Sequence, residues 1–219
     1  MNKMFSNIPI PSIFICFLIF CAWIHYERHR TTRKYRRASR TFWDREDEAN
    51  HTKNKDISNL SLFAPDKDRI PMPITEDENI SYYQERVQIC LTKPMMDLSA
   101  FTNTDLKLAY GTGNFKTLSE YDENFNVFLM NLSNLGKAYR TAGMLRESAG
   151  TYEQCIASGS DKSTDYKSLA YAYAMTENHG KLQDLIASAE ASDLPRKAAL
   201  VEFLRSIQKD PDVFSGAEQ

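Results

Sequence analysis

Slid along itself until Leu135 meets Leu169, the sequence brings two of its most regular apolar patterns into coincidence. Leu132, Leu135, Gly136 and Tyr139 fall on Tyr166, Leu169, Ala170 and Tyr173, and Ser148, Tyr152 and Cys155 fall on Leu182, Ile186 and Ala189. In each copy, apolar residues three and four positions apart mark one face of a helix, a break follows, and a second stripe resumes. Such a recurrence limits the fold more than composition does, because a hairpin of two short helices cannot bury its apolar face alone and must stack on a neighbour. Gly136 and Ala170 are small where a second helix must come close, and Tyr139 and Tyr173 wedge between helices that pack antiparallel across a short turn. Gly143 is expected to end a helix in the first copy, and Asn178 or Gly180 in the second.

The segment "LSNLGKAY" at 132–139, followed by "SAGTY" at 148–152, resembles the tetratricopeptide repeat family. The unit of that family is about 34 residues long, which is the offset of the two copies. The resemblance covers residues 129 to 196, as units of about 129–162 and 163–196. The second unit departs from the family pattern at Leu182, where a small residue is usual, and its Pro195 comes one place late. Two units are fewer than the roughly three that bury a continuous core. The missing faces are expected from the first half of a long preceding helix, a helix at 76–92, and a capping helix "RKAALVEFLRSI" within 196–208. What the resemblance implies is a binding module with a groove lined by the first helix of each pair. The groove-facing positions would be Ser133, Lys137, Arg140, Lys167, Tyr171 and Ala174, the three cations favouring an acidic or C-terminal carboxylate peptide through charge-assisted bonds.

Ile8 to Ile24 reads IPIPSIFICFLIFCAWI, seventeen residues without a charge. At about 1.5 Å per residue it rises about 25 Å, slightly short of a ~30 Å hydrocarbon core unless neighbouring residues contribute. Trp23 and Tyr26 stand at its end, where aromatic rings favour the headgroup layer. A cleaved signal peptide is the rival, but no small-x-small cleavage pattern closes the stretch, and Phe20 before Cys21 is too bulky for a lipoprotein signal. Arg28, Arg30, Arg33, Lys34, Arg36, Arg37 and Arg40 follow at once, against Lys3 alone before the stretch. That asymmetry predicts a single-pass anchor with the N-terminus outside and the remaining chain in the cytoplasm. A bacterial cell membrane is the expected location, with an organelle membrane as the alternative, since the basic flank is common to both. The same seven residues are expected to contact anionic lipid, at about 1 kcal/mol each near the surface. With only Tyr35 interleaved they do not form a nucleic-acid site. The sequons at Asn50, Asn59, Asn79 and Asn131 are chance in that orientation.

A charge-mixed helix is expected to continue to about residue 54. Periodicity then fails, and Pro65, Pro71 and Pro73 predict a linker over 56–75. Thr75 and Glu78 suggest a capping box for the next helix. Gly111, Gly113 and Lys116 match neither the dinucleotide fingerprint nor the P-loop. They read as punctuation: Asn103 or Thr104 caps a short helix, Gly111 ends it in a left-handed conformation, and Asn114 caps the next. That next helix carries the stripe Leu118, Tyr121, Phe125, Phe128, Leu132, Leu135 and Tyr139, a core face about seven turns long.

The organisation expected is therefore all-α. An anchor lies in 1–26 (about 8–24), a juxtamembrane helix in 27–55, a linker in 56–75, and a helical repeat domain in 76–210, with residues after Asp210 fraying. Cys16, Cys21, Cys90 and Cys155 lack metal or redox spacing and read as small buried hydrophobes. His25 and His29 share a helix face without a third ligand. No nucleophile with its base and no catalytic carboxylate pair stands out, so no catalytic residue, metal or cofactor is expected. The function expected is a cytoplasm-facing membrane adaptor or scaffold that binds a protein partner. The alternative is a structural subunit of a membrane complex, or a homo-oligomer, with its helical faces permanently buried.

Overall fold

The computed structural model describes residues 10–216, without the side chains of residues 10–13, 33–38 and 215–216. The described residues form an all-α chain: α1 (Ile10–Asn50), α2 (Glu78–Cys90), α3 (Asn103–Tyr110), α4 (Thr112–Thr141), α5 (Leu145–Ala157), α6 (Ser163–Met175), α7 (His179–Ala191), α8 (Lys197–Lys209) and α9 (Val213–Gly216). The chain divides into two compact units, one of residues up to Asp56 with Phe101–Phe115, the other of Ile57–Ala100 with residues from Lys116 onward.

Among the described residues no helix is long and apolar enough to cross a membrane. Part of the expected span, Ile8 and Pro9 with the side chains of residues 10–13, lies outside the described residues. Within α1 the uncharged stretch Ile10 to Ile24 rises about 22 Å at about 1.5 Å per residue, short of a ~30 Å hydrocarbon core. The transmembrane expectation for this segment is therefore not supported by the described helix. Cys16 and Cys21 are exposed on it, against the expectation of burial, whereas Cys90 and Cys155 are buried. His25 and His29 meet edge to face at 4.4 Å between ring centres.

In the first unit, the polar end of α1 docks on α3. Arg45 pairs with Asp105 at 2.5 Å, Glu46 accepts from the Thr104 hydroxyl, and Lys107 reaches Glu46 at 3.4 Å and Asn50 Oδ1 at 2.9 Å. The Thr104 hydrogen bond, with the Lys107 and Arg45 cations behind it, holds the Glu46 carboxyl below its usual range. Bonds from Thr102, then the Arg45 charge, do the same for Asp105. The cap of α3 is Thr102 rather than Asn103 or Thr104, in a reciprocal capping box with Asp105. Gly111 ends α3 at a positive φ of 89°, as expected of a helix-ending glycine, although its ψ of 154° lies outside the left-handed helical well. Space as much as φ requires glycine there, since a Cβ at Gly111 would lie 2.5 Å from the Asn54 Cα. Asn54 Oδ1 accepts from the Gly113 amide at 2.7 Å. Asn114 lies inside α4 and bonds the carbonyls of Lys55 and Tyr110 instead of capping.

In the second unit, Asp77 caps α2 in place of the expected Thr75, its Oδ1 accepting from the amides of Asn79 and Ile80. The predicted stripe of α4 is buried at Leu118, Phe125, Phe128, Leu132, Leu135 and Tyr139, with Tyr121 partly so. Ile80, Val87 and Cys90 of α2 join its core. The prolines of 57–75 do prevent helix apart from a single turn at Lys67–Arg69, yet the segment is a packed strap rather than a spacer. Ile70 is buried, Phe63 lies edge to face on Phe125 at 5.1 Å, and the Pro71 carbonyl accepts from the Tyr139 hydroxyl at 2.8 Å. The apolar residues between the prolines explain this: a chain barred from helix still buries Phe63 and Ile70 when a groove is at hand.

Two hairpins follow, α4 with α5 and α6 with α7. Their boundaries repeat at one spacing: 175 − 141, 179 − 145 and 191 − 157 all equal 34. The turns repeat bond for bond. Gly143 N–H donates to Arg140 O, Met144 to Tyr139 O, Leu145 to Gly143 O and Ser148 to Met144 O. In the second hairpin, Glu177 donates to Ala174 O, Asn178 to Tyr173 O, His179 to Glu177 O and Leu182 to Asn178 O. Gly143 has φ 75° and Glu177 has φ 57°. The helix-ending role expected of Asn178 or Gly180 thus falls to Glu177, because the period places it there whatever its side chain. The core of the second hairpin is completed by Leu200, Val201, Leu204 and Ile207 of α8.

Candidate polypeptide-binding face

The six positions that line the expected groove sit on α4 and α6, the first helices of the two hairpins. Those helices are joined through a buried carboxylate. Asp165, at the start of α6 and 1% exposed, accepts from the Ser133 hydroxyl of α4 at 2.5 Å and from Ser160 at 2.5 Å. Cys155 Sγ of α5 lies 3.3 Å from the same carboxylate. Burial first, and the Asp165 charge second, push the Cys155 thiol well above its ordinary value, which favours the protonated thiol. Ser133 thus donates its hydroxyl proton to a bond that joins the two first helices.

Arg140 and Tyr171, one from each hairpin, meet at a single ring. Tyr171 stacks on Phe214 of α9 with centroids 4.6 Å apart and planes at 23°, and the Arg140 guanidinium carbon stands 4.8 Å from the same ring centre. Lys167 places its ammonium 4.3 Å from the centre of Phe203 on α8. Ala174 is half-buried against this cluster, and Lys137 is exposed. The face is filled by the chain's own C-terminal residues, with Phe214 only 5% exposed. Against the expectation of fraying beyond Asp210, residues 213–216 form a helical turn held down by Phe214, while residues 217–219 lie outside the described residues.

The chemistry of the face also differs from the charge-assisted pattern expected of it. Arg140 and Lys167 lie over aromatic rings, where the quadrupole attracts a cation and the ring excludes water. Tyr152, behind Arg140, is hydrogen-bonded to it and to Ser168, but burial dominates and raises its hydroxyl above the ordinary value. Tyr173 donates to Glu153 Oε1 at 2.8 Å, the atom that Lys181 also reaches at 2.8 Å. Burial, then the Glu153 bond and charge, push the Tyr173 hydroxyl upward as well.

Of the basic cluster, Arg28, Arg30 and Arg40 are exposed on α1, with Arg30 3.8 Å from Glu27. The side chains of Arg33, Lys34, Arg36 and Arg37 lie outside the described residues. Asn131 is buried, its amide donating to Val127 O at 2.8 Å, so that sequon is closed to a glycan by packing.

Sequence reasoning missed Phe203, Phe214 and Asp165. Phe203 and Phe214 lie outside the internal match, and Asp165 has no apolar signature. A large aromatic in "DPDVF", beyond the last expected helix, was the one available sign that the tail is tied down. Compared with models of known protein families, with curated proteins and with solved structures, the chain matches none.

Proposed function

We propose that this chain is a membrane-attached, cytoplasm-facing adaptor that binds a protein partner on the face shared by α4 and α6. The observation that carries the reading is the recurrence of one hairpin, turn bond for turn bond, at the spacing that separates Gly143 from Glu177. Stacked hairpins align the same positions of successive first helices, and aligned positions make a continuous surface suited to an extended or helical segment of another polypeptide. The resemblance of "LSNLGKAY" and "SAGTY" to the tetratricopeptide repeat points the same way.

Membrane attachment is supported by α1. Phe14, Ile15, Phe17, Leu18, Ile19, Phe20, Trp23 and Ile24 are each about half exposed or more, on all sides of the helix. Full burial of such side chains is worth about 1.5–3 kcal/mol each, which favours a lipid environment for this stretch. The basic residues that follow favour an anionic, cytoplasmic leaflet. Liposome flotation at low and high salt tests this, and a chain that stays with the aqueous fraction at both removes the anchor.

Partner binding is tested by quantitative pull-down from solubilised membranes. A protein held by the wild type and lost with Lys137→Glu/Lys167→Glu supports the reading, and identical recoveries end it. One observation favours the structural-subunit alternative, namely that the face is already filled. Sedimentation of the full chain in detergent separates the two, a stable homo-oligomer favouring the subunit and a monomer the adaptor.

A further inference from the structure

The segment that fills the face has the geometry of a ligand more than of a core element. The short α9, of four residues, follows Asp210, where the backbone is extended at φ −148° and ψ 101°. Its hydrogen bonds are local: Asp212 N–H to Asp210 Oδ1 at 3.0 Å, Val213 to Asp210 O at 3.3 Å and Phe214 to Pro211 O at 3.1 Å. Val213 is exposed, as are Asp210 and Asp212. Phe214 is the residue through which this segment enters the core, and its ring is held from both hairpins at once, by Arg140 and Tyr171. A single aromatic anchor in a two-sided aromatic and cationic clamp, carried on an acidic segment, is a recurrent way for a peptide to dock on a helical surface.

We propose that residues 210–216 are an intramolecular latch that mimics the partner. The partner is then a polypeptide that presents an aromatic side chain beside acidic residues, in the manner of Asp210-Pro211-Asp212-Val213-Phe214, and it binds by displacing Phe214. The inference rests on the adaptor reading and specifies its ligand: the clamp of Arg140 and Tyr171 selects an aromatic face, and the exposed Asp210 and Asp212 precede that anchor in the chain. Closing the latch lowers the fraction of competent molecules and weakens apparent affinity by that fraction. Burial of one phenylalanine side chain corresponds to about 10–100-fold.

The test uses the full chain in detergent and a fluorescent peptide of residues 208–216, QKDPDVFSG, read by anisotropy. Phe214→Ala, and separately a chain ending at Asp210, are expected to bind the peptide about 10–100-fold more tightly than the wild type. Adding Tyr171→Ala is expected to abolish the gain, and a peptide with alanine for phenylalanine is expected not to compete. Circular dichroism monitors the fold. Equal binding by wild type and both opened variants overturns the latch. So does loss of helix in both, because a segment the fold requires is not displaceable, and so does a wild-type dimer that exchanges its tails. If the peptide fails while the Lys137→Glu/Lys167→Glu variant still loses its membrane partner, the latch falls and the adaptor stands. If both fail, the adaptor falls too.

Discussion

The hairpin of α4 and α5 and that of α6 and α7 share their turns bond for bond but fill their interiors differently. In the first, Gly136 lies under the ring of Tyr152, where an added Cβ would stand 2.9 Å from ring carbons, and Ser148 donates to the Gly136 carbonyl at 2.9 Å. In the second, the matching positions are Ala170, Ile186 and Leu182, all buried. A small residue against a large ring has become a larger residue against a smaller side chain, and a buried hydroxyl with its bond has become a leucine. Equivalent backbones thus rest on compensated pairs, as expected where total volume is kept and individual shapes are free to change. The turns, by contrast, admit little compensation: their common geometry demands a left-handed residue after the first helix, and the second hairpin meets that demand with glutamate.

The largest difference to exploit lies where each first helix is held. Positions 131 and 165 correspond in the two hairpins, and both are buried polar sites, but Asp165 accepts from two serine hydroxyls whereas Asn131 bonds mainly to its own helix. Asp165→Ala is expected to cost about 3 kcal/mol, from two bonds to a charged acceptor, and Asn131→Ala about 1 kcal/mol. Urea unfolding of the two variants measures the gap, and equal losses would mean that Asp165 does not join the hairpins.

The exchanged pairs come next. Gly136→Ala is expected to destabilise by about 2 kcal/mol through the clash with Tyr152, and Tyr152→Ile in that background to recover part of the loss by recreating the Ala170–Ile186 pair. A double-mutant cycle without coupling would deny that the two residues compensate each other.

Alkaline pH probes both hairpins together. Burial raises the hydroxyls of Tyr139 and Tyr152 in the first and of Tyr166 and Tyr173 in the second, all from an ordinary value of 10.0. A neutral acid with a raised folded value loses its proton first in the unfolded chain. Its contribution is therefore intact below pH 10, falls above it, and is gone once the folded value is passed. The cost is up to about 1.4 kcal/mol per tyrosine for each pH unit above 10. Replacing Tyr173 by phenylalanine is expected to flatten the decline seen by circular dichroism melts between pH 9 and about 11, and an unchanged slope would contradict its burial.

The smallest effect has the opposite sign. Glu177→Gly is expected to stabilise by about 1 kcal/mol by relieving the left-handed strain, and Gly143→Ala to destabilise by a similar amount. A neutral or harmful Glu177→Gly would show that the second turn is not strained as the first would be.

The repeated hairpin was legible in the sequence because its signal is periodic: the α4 stripe, Gly136 with Ala170, and Tyr139 with Tyr173 all point to faces that the structure buries. Gly143 was legible as well, while Glu177 was not, since a charged residue carries no mark of the positive φ its neighbours impose. The strap was hidden for a related reason. Pro71 and Pro73 announce the end of helix, but the bond from Tyr139 to the Pro71 carbonyl depends on where two distant segments meet. At the candidate face, the residue types Arg140, Lys167 and Tyr171 were readable from the resemblance, but not what they touch. A cation in a list of residues suggests a carboxylate partner, and only the fold reveals a ring beneath it.

The central claim is that one hairpin occurs twice and that its two first helices share a single face. An experimentally determined structure of the chain, with residues 135–157 superimposed on 169–191, tests it most directly. The account expects the two segments to coincide at the offset that carries Leu135 onto Leu169, with the Met144 and Asn178 amides bonded to the carbonyls of Tyr139 and Tyr173 and with Phe214 between Arg140 and Tyr171. Hairpins that superimpose only at another offset, or first helices that do not lie side by side, would contradict it.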